Sequence, residues 1–348
     1  MIFSRYIWNA SEGRARAPVR VAVGFVVIAL FAVVGTLVAE LAMSVFWPSS
    51  SFAYYLVGTT LGLGVGAVAG VGIVARYLDR RPLTDYGFRG GRTWWRDLVV
   101  GLGLATAVQT AVLGVELASG WAVITETLVA GPGGFVLAMV ASLALFAVVA
   151  LYEELVVRGF VLKNVAEGLA GYGATVAVAI AVAVSSLLFG VVHVTNAGAS
   201  FVAVIGIAVI AITLAVSYVV TGRLGLAIGF HAGWNLVMGV VFGHPVSGIE
   251  APARILVVDT TGPATWTGGA FGPEAGLLGV LAALAGLVGV LVYARLSEGR
   301  IGVHVDLLVP RLRGDGATLN TVDVTTESKD STGANSDVSS GASTESSK

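Results

Sequence analysis

About eight apolar runs punctuate the chain, each near the ~20 residues a helix needs to cross a bilayer. They read as Val19–Phe46, Tyr54–Tyr77, Leu98–Ala118, Gly134–Arg158 and beyond, Ala174–Val194, Phe201–Val220, Leu224–Phe242 and Ala275–Ala294. In hydrocarbon, backbone N–H and C=O groups have no water to bond, so segments of this length satisfy them internally as helices. The expected fold is therefore an all-α polytopic membrane protein whose intramembrane polar residues line a central cavity. The composition agrees: of 348 residues 56% are hydrophobic and 12% charged, too apolar for an ordinary soluble domain. The formal net charge of −1 argues against a basic nucleic-acid binder. With no cysteine there is no disulfide, thiolate metal site or cysteine nucleophile. The first run continues to Phe46, too long for the ~7–15-residue apolar core of a signal peptide.

Basic residues set the expected orientation. Arg5, Arg14, Arg16 and Arg20 flank the first run, and Arg76, Arg80, Arg81, Arg89, Arg92 and Arg96 crowd the second connection. Lys163, Arg223, Arg295 and Arg300 fall on the same side, whereas Trp47–Ala53, Gly120–Gly133 and Thr195–Ser200 carry no Lys or Arg. The positive-inside rule then makes both termini cytoplasmic in a multi-pass protein of the cell membrane, with Trp94 and Trp95 in an interfacial belt. Three regions follow. Residues 1–96 hold the basic segment, two spans and an Arg-rich loop. Residues 97–296 form the core, and 297–348 a cytoplasmic segment that is mostly a Ser/Thr/acidic tail, expected to be disordered from Gly314.

Polar groups inside the runs carry the functional signal. Glu153 and Glu154 interrupt the fourth run, and an acid at such depth is a functional hypothesis by default. Glu154 and Arg158 stand four apart and share a helix face, while Glu153 points about 100° away. One acid is thus paired and the other free to react. His193 ends the fifth run, and His231 and Asn235 lie at i and i+4 on one face of the seventh. Gln109 and Glu116 are further candidates for the same cavity; His244 and His304 read as solvated. Pro273-Glu274 reads as a helix start, with the acid at the positive dipole end.

Glu153-Glu154-xxx-Arg158, Phe189-xxx-His193 and His231-xxx-Asn235, in that order on three spans, resemble the CPBP family of intramembrane proteases. That family includes type II CAAX prenyl endopeptidases and bacteriocin-processing or immunity proteins. Arg158-Gly159-Phe160 and Gly268–Glu274 add to the likeness, which covers roughly Asp97 to Ala294. The resemblance implies an endopeptidase acting on a membrane-associated protein or peptide, prenylated CAAX-type chains included.

The residue types suit that chemistry. Glu153 serves as general base, since a carboxylate in a low-dielectric cavity suits proton transfer near neutrality. His193 orients the water or shares its proton, His231 and Asn235 donate to the oxyanion, and Glu154 with Arg158 holds the helix. No cofactor is needed in this scheme. The alternative is a zinc site of Glu153, His193 and His231, a His₂Glu set of the catalytic type, although the HExxH helix is absent. A reading from another class is a transporter or immunity protein that uses the same cluster for binding; the paired halves common in transporters are not evident. One geometric condition attaches to all these readings. The fourth helix must continue past Arg158, bringing Glu153 near mid-depth where it can meet His193.

Overall fold

The protein, a computed structural model, is described over residues 7–48 and 50–313. The tail expected to be disordered from Gly314 lies outside the described residues. Eight apolar helices follow one another along the described residues: α1 Ala17–Phe46, α2 Phe52–Ile73, α3 Gly91–Ala118, α4 from Phe135, α5 Ala174–Val192, α6 Phe201–Thr221, α7 from Gly225 and α8 Leu277–Glu298. Among the described residues seven of them are long and apolar enough to cross a membrane; α7, at Gly225–Val241, is shorter.

α4 continues past Arg158, the first part of the condition set by the sequence. It has no internal break: Phe135–Glu154 passes through a widened π turn at Leu155–Leu162 into Lys163–Leu169. The whole helical stretch, Phe135–Tyr172, is 38 residues long, roughly 57 Å at 1.5 Å per residue. That exceeds a ~30 Å hydrocarbon core, so one end projects. Glu153 falls 18 residues after Phe135 and 19 before Tyr172, at the middle.

α7 is aimed by its glycines. Gly225, Gly229 and Gly233 recur every fourth residue, and a Cβ on them would meet the carbonyl oxygens of Trp94, Leu98 and Leu102 at 2.4, 2.0 and 2.9 Å. Only glycine lets α7 lie this flush on α3, the small-xxx-small logic of membrane packing. His231 and Asn235 each stand two residues past a packing glycine, about 200° round the helix, so they face away from α3.

The two ends of the bundle differ. At the ribbon end, β1 Ala122–Ala130 pairs antiparallel with β2 Ala253–Thr260, from Ala122↔Thr260 to Ala130↔Ala253. Their β-branched content (Val123, Ile124, Thr125 against Ile255, Val257, Val258) suits a ribbon. At the basic end, Arg14, Arg20, Arg81 and Lys163 interlock with Asp79, Asp85 and Glu167. The segment after α8 returns across this end, burying Leu307 and placing Asp306 on Arg89 and on the Lys163 ammonium.

Two further expectations change. Trp94 is buried against Phe88, while Trp95 keeps 59% of its surface exposed, so only the latter suits an interfacial belt. His244 is buried, with its Nε2 2.9 Å from Glu116 Oε2, rather than solvated.

Candidate active site

A cavity of about 510 Å³ opens among α1, α2, α4, α5, α6 and α7. Its walls are mainly apolar, with polar groups converging at one place, as small-molecule and peptide sites tend to be built. Glu153, His193, His231 and Asn235 all line it.

The two acids divide as the spacing predicts, with one addition. Arg158 Nη1 donates to Glu154 Oε1 at 2.8 Å, and both side chains are fully buried. Arg158 Nη2 donates to the Ala211 carbonyl at 3.0 Å, and the guanidinium lies 4.5 Å from the centre of the Phe189 ring. The same Glu154 Oε1 also sits 2.9 Å from His231 Nδ1. Glu154 therefore does more than neutralise Arg158: its carboxylate receives Nδ1–H and fixes which imidazole nitrogen faces the cavity. That contact spans 77 positions and was not legible in the sequence.

Glu153 is the freer acid. Tyr152 Oη donates to its Oε1 at 3.1 Å. Its Oε2 is buried without a hydrogen-bond partner among the described residues, and lies 3.7 Å from His231 Nε2. An unpartnered carboxylate oxygen in a cavity is a costly arrangement, characteristic of functional sites. Immediately beyond Glu154 and again beyond Asn235, the helices widen into π turns, Leu155–Leu162 and Leu236–Val241. Such turns are frequent at functional sites.

His193 ends α5, and its Nδ1 is 2.7 Å from the Phe189 carbonyl one turn earlier. A carbonyl only accepts, so Nδ1 carries the proton and Nε2 is left for the cavity. Phe189 lies between the two histidines, its ring centre 4.8 Å from that of His193 and 5.9 Å from that of His231. Gln109 and Glu116 do not reach the cavity; Gln109 Nε2 points to Met238 Sδ at 3.8 Å, and Glu116 pairs with His244.

Glu274 is the residue that sequence reasoning misplaced. α8 begins at Leu277, after a separate turn Pro273–Ala275, and Glu274 faces the cavity. Trp234 Nε1 donates to its Oε1 at 3.1 Å, and Ser247 N and Oγ donate to its Oε2 at 2.8 and 2.6 Å. The carboxylate thus ties the ribbon-end connection to α7, one residue from Asn235.

For zinc, Glu153, His193 and His231 would be the ligands. Among the described residues no group of three His, Cys, Asp or Glu side chains is arranged to hold a metal ion. As placed, the trio does not fit the ion, and no step below runs through one.

The fold and this centre define a polytopic membrane protein with an acid–histidine site buried between its helices. Residues 135–237 match the family model described as type II CAAX prenyl endopeptidase Rce1-like. The match runs from the start of α4 past Asn235, and it agrees with the likeness of the motifs to the CPBP/CAAX proteases, to which this segment is similar. No curated protein and no solved structure gives a match.

Proposed function

We propose that the protein is an intramembrane endopeptidase that hydrolyses a peptide bond of a membrane-associated protein or peptide, with Glu153 activating the water. The observation that carries this reading is the division of the acids. Glu154 is engaged through Oε1 by both Arg158 and His231 and stays out of the cavity lining, while Glu153 lines the cavity with its Oε2 3.7 Å from His231 Nε2. A water at ordinary hydrogen-bond distance, about 2.8 Å, from both atoms closes a triangle on that base.

In this scheme Glu153 removes a proton from the water as its oxygen bonds to the carbonyl carbon. The Asn235 amide and, when it carries a proton, His231 Nε2 face the developing oxyanion, with Glu154 on Nδ1 holding the ring in place. Glu153 then returns that proton to the leaving nitrogen as the C–N bond breaks, with His193 Nε2 orienting the water or sharing the proton. The Arg and Lys distribution supports a cytoplasmic basic end, with both termini on that side of the cell membrane. Prenylated CAAX-type chains are one substrate class within this reading.

The test is turnover of a panel of apolar peptides by purified wild type and by Glu153→Gln. We expect cleavage by the wild type and a loss of about 10²–10⁴-fold in the variant, the usual contribution of a general base. Equal turnover by the two proteins would remove Glu153 from the mechanism. Absence of cleavage across the panel, with peptide binding intact, would favour a binding protein such as a transporter or immunity protein.

A further inference from the structure

Glu153 reaches into the cavity on a long side chain, and a general base works only while its oxygen stays where the water is. Among the described residues its carboxylate receives one hydrogen bond, from the Tyr152 hydroxyl to Oε1 at 3.1 Å. With Oε1 held, Oε2 is the oxygen left towards His231 Nε2, across 3.7 Å. That gap is too wide for a direct hydrogen bond and suits one with a water between. Glu154 needs no such help, since Arg158 and His231 both engage it. The ring that carries the hydroxyl is itself seated. Tyr152 lies one turn beyond Val148 on α4, and both pack on α2 at Gly64. A Cβ at Gly64 would meet Val148 Cγ1 at 2.3 Å and Tyr152 Cδ1 at 3.0 Å, so a larger residue there displaces them. A line of support thus runs from a glycine on α2, outside the matched residues 135–237, through ring and hydroxyl to the reacting carboxylate.

We infer that Tyr152 is a positioning residue for Glu153. Its hydroxyl pins Oε1 so that Oε2 keeps a water-wide gap to His231 Nε2, and Gly64 supplies the notch that holds the ring. This rests on the protease reading above. Tyr152 also lines the cavity, but its one hydroxyl proton is committed to Oε1, so it acts through the base and not on the peptide. Losing that bond leaves the carboxylate free to turn about its side-chain torsions, and a smaller share of molecules presents Oε2 to the water at any instant. The loss falls on kcat, with substrate binding little altered.

Tyr152→Phe keeps the ring in its notch and removes only the hydroxyl, so the full-length variant should melt near wild type in detergent. On a peptide that the wild type cleaves, we expect kcat to fall about 10–100-fold with KM little changed. In the Glu153→Gln background the same substitution should cause no further loss, because the group it serves is gone. Unchanged kcat in Tyr152→Phe, or an equal loss in the Glu153→Gln background, overturns the inference and leaves Glu153 as the base. Gly64→Ala should lower kcat in the wild-type background and add little to Tyr152→Phe; full additivity of the two overturns the role of the notch. The bond itself can be read without turnover. A donor displaces the stretching bands of a carboxylate, so the infrared difference between wild type and Tyr152→Phe should carry a carboxylate signal. That signal should vanish when both proteins also carry Glu153→Gln. Its absence from the first comparison overturns the inference whether or not any peptide is cleaved. The signal without cleavage of any peptide by the wild type would sink the protease reading and the positioning role with it.

Discussion

Two buried clusters of charge lie along α4, and they are built to opposite rules. At the basic end, Glu167 meets Arg81 at 2.6 Å, Arg14 at 3.2 Å and Arg20 at 3.3 Å, while Lys163 reaches Asp85 at 3.3 Å. Burial works against the Arg81 guanidinium, yet Glu167 and Asp79 hold its pKa well above the ordinary arginine value. Every charge there has an opposite partner, and Asn164 and Tyr86 donate into the same network. The cavity lining has two carboxylates and, among the described residues, no lysine or arginine, and Glu153 Oε2 lacks a hydrogen-bond partner. A matched cluster fixes geometry because breaking it strands a buried charge; an unmatched one keeps an atom available for a reacting molecule.

The contrast can be broken from either side. The largest effect is expected at Glu154, which belongs to both categories. Glu154→Gln leaves Arg158 without its charge partner and weakens the hold on His231, so thermal stability and turnover should fall together. Breaking a buried pair costs about 3–5 kcal/mol. Unchanged melting of this variant in a detergent thermal scan would show that Arg158 finds another partner.

Glu167→Gln should cost stability of similar order through the basic cluster, but leave turnover per folded molecule near wild type. A fall in kcat at full folding would mean that the two clusters are coupled. Within the cavity, Asn235→Ala should lower kcat roughly 10²–10³-fold with KM little changed, the signature of a group that acts on the transition state. The smallest expected effect is none: chelators should leave turnover unchanged, and purified active protein should hold no stoichiometric metal. Loss of activity on chelation, restored by zinc, would revive the His₂Glu alternative.

Much of this was open to reading from the chain because membranes impose length and periodicity. Runs of ~20 apolar residues define spans, and i,i+4 spacing put Glu154 with Arg158 and His231 with Asn235. The rest depended on contacts between distant segments. Nothing local to Glu274 indicates Ser247 or Trp234, which lie 27 and 40 positions away. Beside Pro273 it looks like a helix-capping acid. His244 reads as a loop residue until α3 supplies Glu116 from 128 positions earlier. The Gly225-Gly229-Gly233 stripe was local and legible in principle, since three glycines at every fourth residue mark a packed face.

The widened turns after Glu154 and Asn235 also bear on how such a chain tolerates insertions and deletions. Losing one residue from an ordinary stretch of α4 turns everything beyond it by about 100°. Between Phe135 and Glu153 that would swing the acids off the cavity. A π turn already carries surplus length relative to an α-helix, so dropping one residue from Gly159–Leu162 lets it close as α-helix with both flanks still in register. Natural length variation near this centre should therefore collect in Gly159–Leu162 and Leu236–Val241, where the helices have slack, and be absent from the turns that carry Glu153 and His231.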